Sequence, residues 1–442
     1  MPGLAAGRPE SRRAGRGPGG DRGDVGHHLR AAGLDGTGRS HRRARHPAES
    51  GVSDDLRRRA GLSAAGFGAM LNLYACQPIL PDLQRAFGVS PARAALTVTA
   101  TAAAVALVAP VAGAVSDAAG RKPTIVAALA LIALPSLACA LAPSLDVLIC
   151  LRFLQGLFMP AAFAACLAYA SEEWPPALRG RATTLYVTAN ITGGFLGRVI
   201  GGLAAEWGDW HAAFLVLGLA NLLAALAVAM LLPRSRGAPA ATGFGTAVAA
   251  MPRHLGNPAL LSAFAVGFAV LFCLAGVFTY VNYHLAAAPF GLSAGELSWL
   301  FGTYLVGLLI LPVSGRWIDR FGPRRAILLA IAGSALGGGL TLAPTLWVIV
   351  PALVLVCLGA FVCQAAATAF VGRGAAHHRS AAAGLYLGFY YAGGAAGAFL
   401  PGFAYARLGW PGVVAVVLAV EAAAALLVYS AWRDPAPEPR LA

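Results

Sequence analysis

Residues 113–122 read GAVSDAAGRK, and the run that follows them, PTIVAALALIALPSLACALAPSL at 123–145, contains no charged side chain. Such a run can cross a bilayer as one helix, which requires roughly 20 apolar residues. A second loop of similar pattern, GRWIDRFGPRR, occupies residues 315–325, and 47 uncharged residues follow it up to Arg373. Short basic loops that alternate with long apolar runs predict a helical integral membrane protein.

Composition points to the same class. Of the 442 residues, 58% are hydrophobic and 12% are charged, whereas a soluble domain carries about 25% charged residues on its water-facing surface. The net charge of +14 could indicate nucleic acid. Outside the N-terminal tail, however, the arginines lie almost entirely in loops between apolar runs. We therefore expect a lipid bilayer as the surrounding medium and no nucleic-acid partner.

The seven cysteines lie inside apolar runs. Their spacing matches neither an external disulfide framework nor a zinc site, so we interpret them as packing residues and expect no metal. Motifs for zinc hydrolysis, for a nucleophile elbow and for a phosphate-binding loop are missing from the sequence. The sequence therefore predicts neither an enzyme nor a bound cofactor.

Twelve apolar segments predict an all-α integral membrane fold with twelve transmembrane helices in two pseudo-symmetric six-helix bundles. The segments are 62–83, 94–116, 124–142, 147–170, 182–204, 212–232, 258–282, 297–315, 326–343, 346–371, 381–404 and 411–431. The predicted domains are an Arg/Gly-rich tail at 1–58, a first bundle at 59–232, a cytoplasmic linker at 233–257, a second bundle at 258–432 and a C-terminal tail at 433–442. The first tail lacks a hydrophobic run and is expected to be disordered; part of it could equally derive from a start codon placed too early.

The two halves share a sequence pattern at a nearly constant offset. Phe87-Gly88-Val89-Ser90 recurs in type as Phe290-Gly291-Leu292-Ser293, 203 residues later. Leu185-Tyr186, Gly193-Gly194, Gly197 and Trp210 all recur 200 residues later. An ordered series of this kind predicts two halves of the same topology, the parallel repeat on which alternating-access transporters are built.

The loop charges predict the orientation. With both termini in the cytoplasm, the inner loops hold thirteen arginine and lysine residues and the outer loops hold three. Positive charge is retained on the cytoplasmic side of membrane proteins. We therefore expect a multi-pass membrane protein with both termini in the cytoplasm. The expected location is the bacterial inner membrane, and the expected state is a monomer.

The two basic loops resemble the best-known motif of the major facilitator superfamily, Gly-x-x-x-Asp-x-x-Gly-Arg-Lys. The first loop departs from it at Ala118, where the family usually has arginine. Glycine permits a sharp turn, and an aspartate near a helix end can pair with a basic residue or a helix N-terminus in the other half. The resemblance implies a gate, formed by Gly113, Asp117, Gly120, Arg121 and Lys122 in the first loop and by Gly315, Asp319, Gly322, Arg324 and Arg325 in the second.

Two further motifs carry the resemblance. Leu151-Arg152-Phe-Leu-Gln155-Gly156 in segment four is similar to a family motif whose arginine is tied to proton coupling or substrate charge. An isolated charge at this depth costs roughly 3 kcal/mol, so Arg152 should face the central cavity or backbone carbonyls. The glycine-rich stretch 193–202 resembles the antiporter branches, with Arg198 where proline is usual, and with Tyr390-Tyr391 it is most similar to the arabinose-efflux-permease branch, which is like the drug–proton antiporters.

In the family, helices 1, 4, 7 and 10 line the cavity and helices 2, 5, 8 and 11 lie beside them. This architecture implies ten candidate residues for substrate binding or coupling: Asn72, Tyr74, Gln77, Arg152, Gln155, Arg198, Tyr280, Gln364, Tyr386 and Tyr390. Interhelical packing is an equally good interpretation of each polar residue taken alone. Asn190, Asn221 and Glu421 are further polar residues at membrane depth, and we expect structural pairing for Glu421, with proton carriage as its alternative.

Taken together, the sequence predicts a secondary transporter that exports a small organic solute, such as a sugar or a drug-like compound, in exchange for protons. The alternative is proton-coupled uptake of a small organic anion, because Arg152 and Arg198 could supply positive charge. A non-transporting sensor or scaffold is disfavoured, since it would gain nothing from a buried charge. The expected partners are a small-molecule substrate, the proton and lipid.

Overall fold

The apolar segments form helices that cross the protein from one end to the other. The computed structural model describes residues 47–235, 244–374 and 379–432, and these residues contain helices and turns but no strand. A helix satisfies its own backbone N–H and C=O groups, which the hydrocarbon core of a bilayer cannot do. Each predicted segment corresponds to one helical span, and we number these spans 1 to 12 in chain order.

Spans 1–6 form the first half and spans 7–12 the second, which confirms the predicted fold. Span 1 is Pro47–Leu71, and span 2 comprises Leu96–Val108, Ala109–Val111 and Ala112–Ala119. Span 3 is Arg121–Cys139, span 4 is Leu145–Glu172, span 5 is Arg179–Trp207 and span 6 is Trp210–Leu231. Span 7 is Pro258–Ala286, and span 8 comprises Ala294–Trp299, Leu300–Leu305 and Val306–Phe321. Span 9 is Pro323–Leu340, span 10 is Leu346–Gly374, span 11 comprises Arg379–Phe399 and Pro401–Leu408, and span 12 is Trp410–Ala431. Short connecting helices occupy Leu80–Phe87, Pro91–Ala94, Pro176–Leu178 and Phe244–Leu255.

By length and composition alone, seven helices within the described residues could span a membrane. These are spans 2, 3, 4, 6, 7, 10 and 12. The other five are spans 1, 5, 8, 9 and 11. Their apolar residues nevertheless correspond to five of the twelve predicted segments.

The bounds of span 1 and of the linker differ from the expectation. Span 1 begins at Pro47, so residues 47–58, assigned to the N-terminal tail, are helical. The linker contains the helix Phe244–Leu255. The remainder of the first tail, residues 236–243 of the linker and the C-terminal tail lie outside the described residues, and the predictions about them stay predictions.

Contacts place three segments at one end of the helices: the linker, the N-terminal part of span 1 and the C-terminal end of span 12. The Arg58 side chain donates to the carbonyl of Glu173, where span 4 ends, at 2.9 Å, and Tyr169 donates to the carbonyl of Pro233 at 3.1 Å. Trp432, after span 12, donates to Ser262 at the start of span 7 at 3.0 Å. We call this end the linker side.

Glycines let the helices of each half approach closely. A Cβ atom on Gly193 or Gly197 of span 5 would overlap backbone carbonyls of span 1. A Cβ atom on Gly393 or Gly397 of span 11 would overlap backbone carbonyls of span 7 in the same way. Small residues drive this type of packing in membranes. The repeated glycines in the sequence therefore correspond to a helix–helix contact that occurs once in each half.

The two basic loops adopt the same backbone conformation. Gly120 has φ 84° and ψ 152°, and Gly322 has φ 81° and ψ 153°. A positive φ is accessible to glycine at little cost. Lys122 donates to the carbonyl of Ala229 at the end of span 6, and Arg324 donates to the carbonyl of Tyr429 at the end of span 12, both at 2.8 Å. These cations also complement the negative ends of the helix dipoles.

Span 1 stops at Leu71, although the sequence predicted a continuous segment to residue 83. Turns occupy residues 72–79, where Pro78 lacks the N–H that would continue the helix. The carbonyls of Asn72 and Leu73 instead accept hydrogen bonds from Arg152, at 2.9 and 2.8 Å. Arg152 therefore compensates the broken helix.

The remaining partners of Arg152 fix its position. The side chain is 1% exposed, and its Nε donates to the carbonyl of Thr97 in span 2 at 3.2 Å. Its Nη1 also donates to Gln155, which in turn donates to the carbonyl of Ile132 in span 3. Arg152 thus connects span 2, span 4 and the turns after span 1 through polar groups that the bilayer would leave unsatisfied.

Span 11 is interrupted before Pro401, where the sequence predicted an unbroken segment from 381 to 404. Tyr280 of span 7 donates its hydroxyl to the carbonyls of Ala398 and Phe399, at 2.8 and 3.3 Å. The tyrosine satisfies carbonyls that the interrupted helix leaves available. Tyr280 therefore has a structural role in the second half.

We predict that Gly197→Ala and Gly397→Ala each destabilise the protein by about 1–3 kcal/mol, because overpacking forces backbones apart. Thermal unfolding in detergent measures the effect. Gly333→Ala, in span 9, is the matched control because a Cβ atom there meets no neighbouring atom, and it should be neutral or stabilising. Equal unfolding temperatures for all three variants would show that the close contacts are absent.

We predict that Arg152→Ala destabilises the fold by about 2 kcal/mol or more, since each carbonyl that loses a buried partner costs about 1–3 kcal/mol. The unfolding temperature of the purified variant in detergent tests this. Arg407→Ala, at an exposed arginine, serves as the control and should unfold like the parent. An unchanged unfolding temperature in Arg152→Ala would contradict the structural role.

Candidate functional site

A cavity of about 570 Å³ lies between the two halves, within the size range of small-molecule sites. Residues of spans 5, 7, 8, 10 and 11 line it, together with the end of span 1 and the turns after it. It extends from Arg198 toward the linker side, where Asn190 and Thr368 contribute to its wall. The cavity therefore lies at membrane depth and is shared by both halves.

Arg198 provides the positive charge of this cavity. Its side chain is 3% exposed; Nε donates to Gln77 at 2.9 Å and Nη1 donates to the carbonyl of Gly194 at 2.7 Å. Neither partner is a carboxylate, and Nη2 has no hydrogen-bond partner among the described residues. The charge of Arg198 is therefore positioned but not neutralised.

Aromatic rings surround the guanidinium of Arg198. Its Cζ lies 5.2 Å from the ring centre of Tyr74, 4.6 Å from that of Phe301 and 4.8 Å from that of Tyr304. Such contacts stabilise a cation by about 0.5–2 kcal/mol each. They hold the guanidinium in place and leave it able to bind an anion.

The rest of the wall is aromatic and amide in character. Tyr186, Phe361, Tyr390 and Tyr391 add ring surface, and Asn190 and Gln364 add amide groups. No carboxylate side chain is found among the described residues that line the cavity. This lining suits a flat organic molecule with a polar or negatively charged group.

Contacts between the halves close the cavity on the side opposite the linker. Gln77 donates to Thr279 of span 7 at 3.3 Å. Farther out, Ser293 donates to Glu206 of span 5 at 3.1 Å, and Tyr283 donates to the carbonyl of Pro91 at 3.2 Å. A second pocket of about 900 Å³ lies beyond these contacts, and its charged lining residues are Asp82, Arg85, Glu206 and Asp209.

Five of the ten residues predicted for binding or coupling line the central cavity. They are Tyr74, Gln77, Arg198, Gln364 and Tyr390. The structure thus brings together residues from spans 5, 10 and 11 and from the region after span 1. Their role in binding stays a prediction.

The other five lie outside the cavity wall. Arg152 and Gln155 bind backbone carbonyls within the first half, and Asn72 accepts a hydrogen bond from Ser136 of span 3 at 3.0 Å. Tyr280 supports the break in span 11, and Tyr386 packs on Gly267 of span 7. No residue of span 4 lines the cavity within the described chain, because this span packs through Gly156 against span 2.

Among the predicted gating residues with described side chains, Arg121 forms an ion pair. Arg121 binds Glu172 of span 4 through two hydrogen bonds of 2.9 and 2.7 Å, within its own half. A Cβ atom on Gly113 or Gly315 would meet open space. The side chains of Asp117 and Asp319 lie outside the described residues, so their expected pairing across the halves stays a prediction.

Several lining residues were not among the sequence candidates. Tyr186 repeats as Tyr386 and Tyr391 adjoins Tyr390, so the repeat pattern contained a signal for both. Asn190 is an amide in an apolar run. Tyr304 and Phe361 have no such signal, because an aromatic residue in a transmembrane segment can equally face lipid.

Comparison with known proteins gives the family. The model of the Major Facilitator Superfamily matches residues 62–287 and 271–442. An uncharacterized MFS-type transporter of Bacillus subtilis, YybF, is 32% identical over 355 residues, which cover 80% of this chain and 88% of that protein. A probable multidrug-efflux transporter of Mycobacterium tuberculosis is 30% identical over 251 residues, half of each chain.

The fold is also found among solved structures. A crystal structure of a mutant of the nucleoside transporter NupG aligns with a TM-score of 0.69 at 15% identity, over 85% of this chain and all of that one. At this identity the likeness concerns the fold. The family model matches both halves of the chain. The relatives reported above are membrane transporters rather than enzymes. The chain therefore belongs to the major facilitator superfamily.

Proposed function

We propose that this transporter exports a small organic solute through the central cavity in exchange for protons. The observation that carries the proposal is the arrangement around Arg198, an unneutralised cation with aromatic walls between the two halves. A solute with an aromatic or apolar body and a negative group fits that arrangement best. Alternating access then moves the solute from one side of the membrane to the other.

Orientation and energetics support export. We place the linker side in the cytoplasm because the sequence assigns thirteen of the sixteen loop cations to the side of the membrane that holds the linker, and the cavity extends toward that side. Moving one negative charge outward across an inside-negative membrane yields about 2.3 kcal/mol per 100 mV. The probable multidrug-efflux relative and the glycine-rich motif of span 5 favour the same direction.

The second candidate function is proton-coupled uptake of a small organic anion. The same Arg198 arrangement favours it, because the cation would bind an anion whichever way the cavity faces. Arg152 no longer contributes to this alternative, since three carbonyls and Gln155 already surround it. The two candidates differ in the direction of substrate movement relative to the proton.

We predict that proteoliposomes containing the purified chain accumulate 1-naphthalenesulfonate when a pH difference is imposed. Proton exchange should concentrate the probe in the more acidic compartment, whereas symport with protons should concentrate it in the more alkaline one. Both permanently charged naphthalenesulfonate and its matched cation, naphthyltrimethylammonium, cross lipid poorly, so movement reports on the protein. We expect accumulation of the anion in acidic vesicles and little of the cation.

Arg198→Gln should abolish anion accumulation; its unfolding temperature should fall with the loss of the aromatic contacts but stay above the assay temperature. Arg198→Lys should retain part of the accumulation because it keeps the charge but not the forked geometry. Vesicles without protein provide the background. Preferred transport of the cation, or anion transport that survives Arg198→Gln, would contradict the assignment of this cavity. Accumulation in alkaline vesicles would replace export by uptake.

A further inference from the structure

Glu421 lies in span 12, outside the central cavity and behind spans 7 and 10. Its side chain is 6% exposed, and span 12 packs it against spans 7, 9 and 10. Because no carboxylate lines the described cavity wall, a proton carried by a carboxyl group must bind elsewhere in the protein. Glu421 is a buried carboxyl group at membrane depth, where ionisable residues are usually functional.

The hydrogen bonds of Glu421 are incomplete. Oε1 accepts a hydrogen bond from the Ser334 hydroxyl of span 9 at 2.5 Å. Oε2 is buried and has no partner within the described residues. The structural pairing expected from the sequence thus satisfies Oε1 and leaves Oε2 without a hydrogen-bond partner among the described residues.

Within the described part of the chain, no cation pairs with this carboxyl group. Among the described residues, the titratable groups that face it are the thiols of Cys273 in span 7 and Cys363 in span 10. Both thiols donate to backbone carbonyls, of Val417 and Ile327 at 3.7 and 3.8 Å. Span 9 contributes the uncharged Ser334. An uncompensated anion in such surroundings is costly, whereas a carboxylic acid requires only one further acceptor for its O–H.

A small cavity supplies room for that acceptor. Glu421, Ser334, Cys273 and Cys363 line a space of about 30 Å³, and a water molecule requires roughly 10–15 Å³ measured in this way. Leu274 lines both this space and the central cavity. A water held here is therefore separated from the central cavity by the contact between spans 7 and 10.

The first half contains a neutral counterpart of this site. Asn221 in span 6 precedes Glu421 by 200 residues, the offset that relates the glycines and tryptophans of the two halves. It is also buried; Nδ2 donates to the carbonyl of Leu129 in span 3 at 2.7 Å, and Oδ1 has no partner within the described residues. An amide has the shape of an uncharged carboxylic acid, so packing at this position does not require a titratable group.

We propose that Glu421 is the proton-carrying residue of this transporter and that it exchanges its proton through a water held between spans 7, 9, 10 and 12. In the conformation described, the neutral acid is compatible with tight packing of these spans. Loss of the proton leaves an uncompensated charge and favours a conformation in which water reaches the site. The coupling role rests on the proposed function, whereas the protonated state of Glu421 does not.

Infrared spectroscopy of the full chain in lipid bilayers tests the proton site directly. At neutral pH we expect a carbonyl stretching band of a protonated carboxylic acid, with a shift on exchange into deuterated water. Glu421→Gln should remove the band but keep the fold, since glutamine still accepts from Ser334 and matches the residue type of the first half. Asp146→Asn, which removes an exposed carboxyl group, should leave the band unchanged. A missing band in the parent, or a band that persists in Glu421→Gln, would overturn the proposal.

Transport of 1-naphthalenesulfonate then tests the coupling. Glu421→Gln vesicles should exchange labelled for unlabelled probe at a rate within about twofold of the parent, yet show complete loss of accumulation driven by the pH difference. Retained accumulation would overturn the coupling role. Failure of the parent to transport any probe would count against the proposed function alone, because the infrared measurement does not depend on transport.

Discussion

The hydrocarbon core of a bilayer provides no hydrogen-bond partner, so every interruption of a helix must be satisfied by another part of the protein. Two interruptions determine much of this structure. Span 1 ends at Leu71, and Arg152 supplies the donors for the carbonyls that follow. Span 11 is interrupted before Pro401, and the Tyr280 hydroxyl supplies the donor there. Gln77, which contacts Arg198 at the cavity, lies in the irregular segment that the first interruption creates.

Three ionisable side chains buried at membrane depth are stabilised in three different ways. Arg152 is surrounded by carbonyls and by Gln155, and it is inaccessible from the central cavity. Arg198 has one amide oxygen, one carbonyl and three aromatic rings as neighbours, and it borders the cavity. Glu421 has one hydroxyl partner and a small cavity. We assign substrate binding to Arg198 and proton carriage to Glu421 because these two groups have the fewest compensating partners. A charged group whose hydrogen bonds are all satisfied, such as Arg152, has no free position for a solute or a proton.

The two halves share their packing residues and differ in their charged ones. Gly193 and Gly197 contact span 1 as Gly393 and Gly397 contact span 7. At the same offset, Arg198 corresponds to Ala398, and Asn221 corresponds to Glu421. The repeated glycines fix helix distances that both halves need. We assign the proposed substrate site to Arg198 and the proposed proton site to Glu421, so each proposed site lies in one half only.

The sequence by itself determined the membrane class, the twelve spans, the repeat and the family resemblance. These follow from apolar length, loop charge and glycine spacing, which are local properties of the chain. The sequence also identified Arg198, Gln77 and Tyr390 as polar groups within apolar segments. Only the tertiary structure decided that Arg152 binds carbonyls while Arg198 borders the cavity, because both are arginines in apolar runs and differ only in their neighbours. It likewise decided that Tyr304 and Phe361 face the cavity, since the direction in which an aromatic ring points depends on how helices distant in sequence pack together.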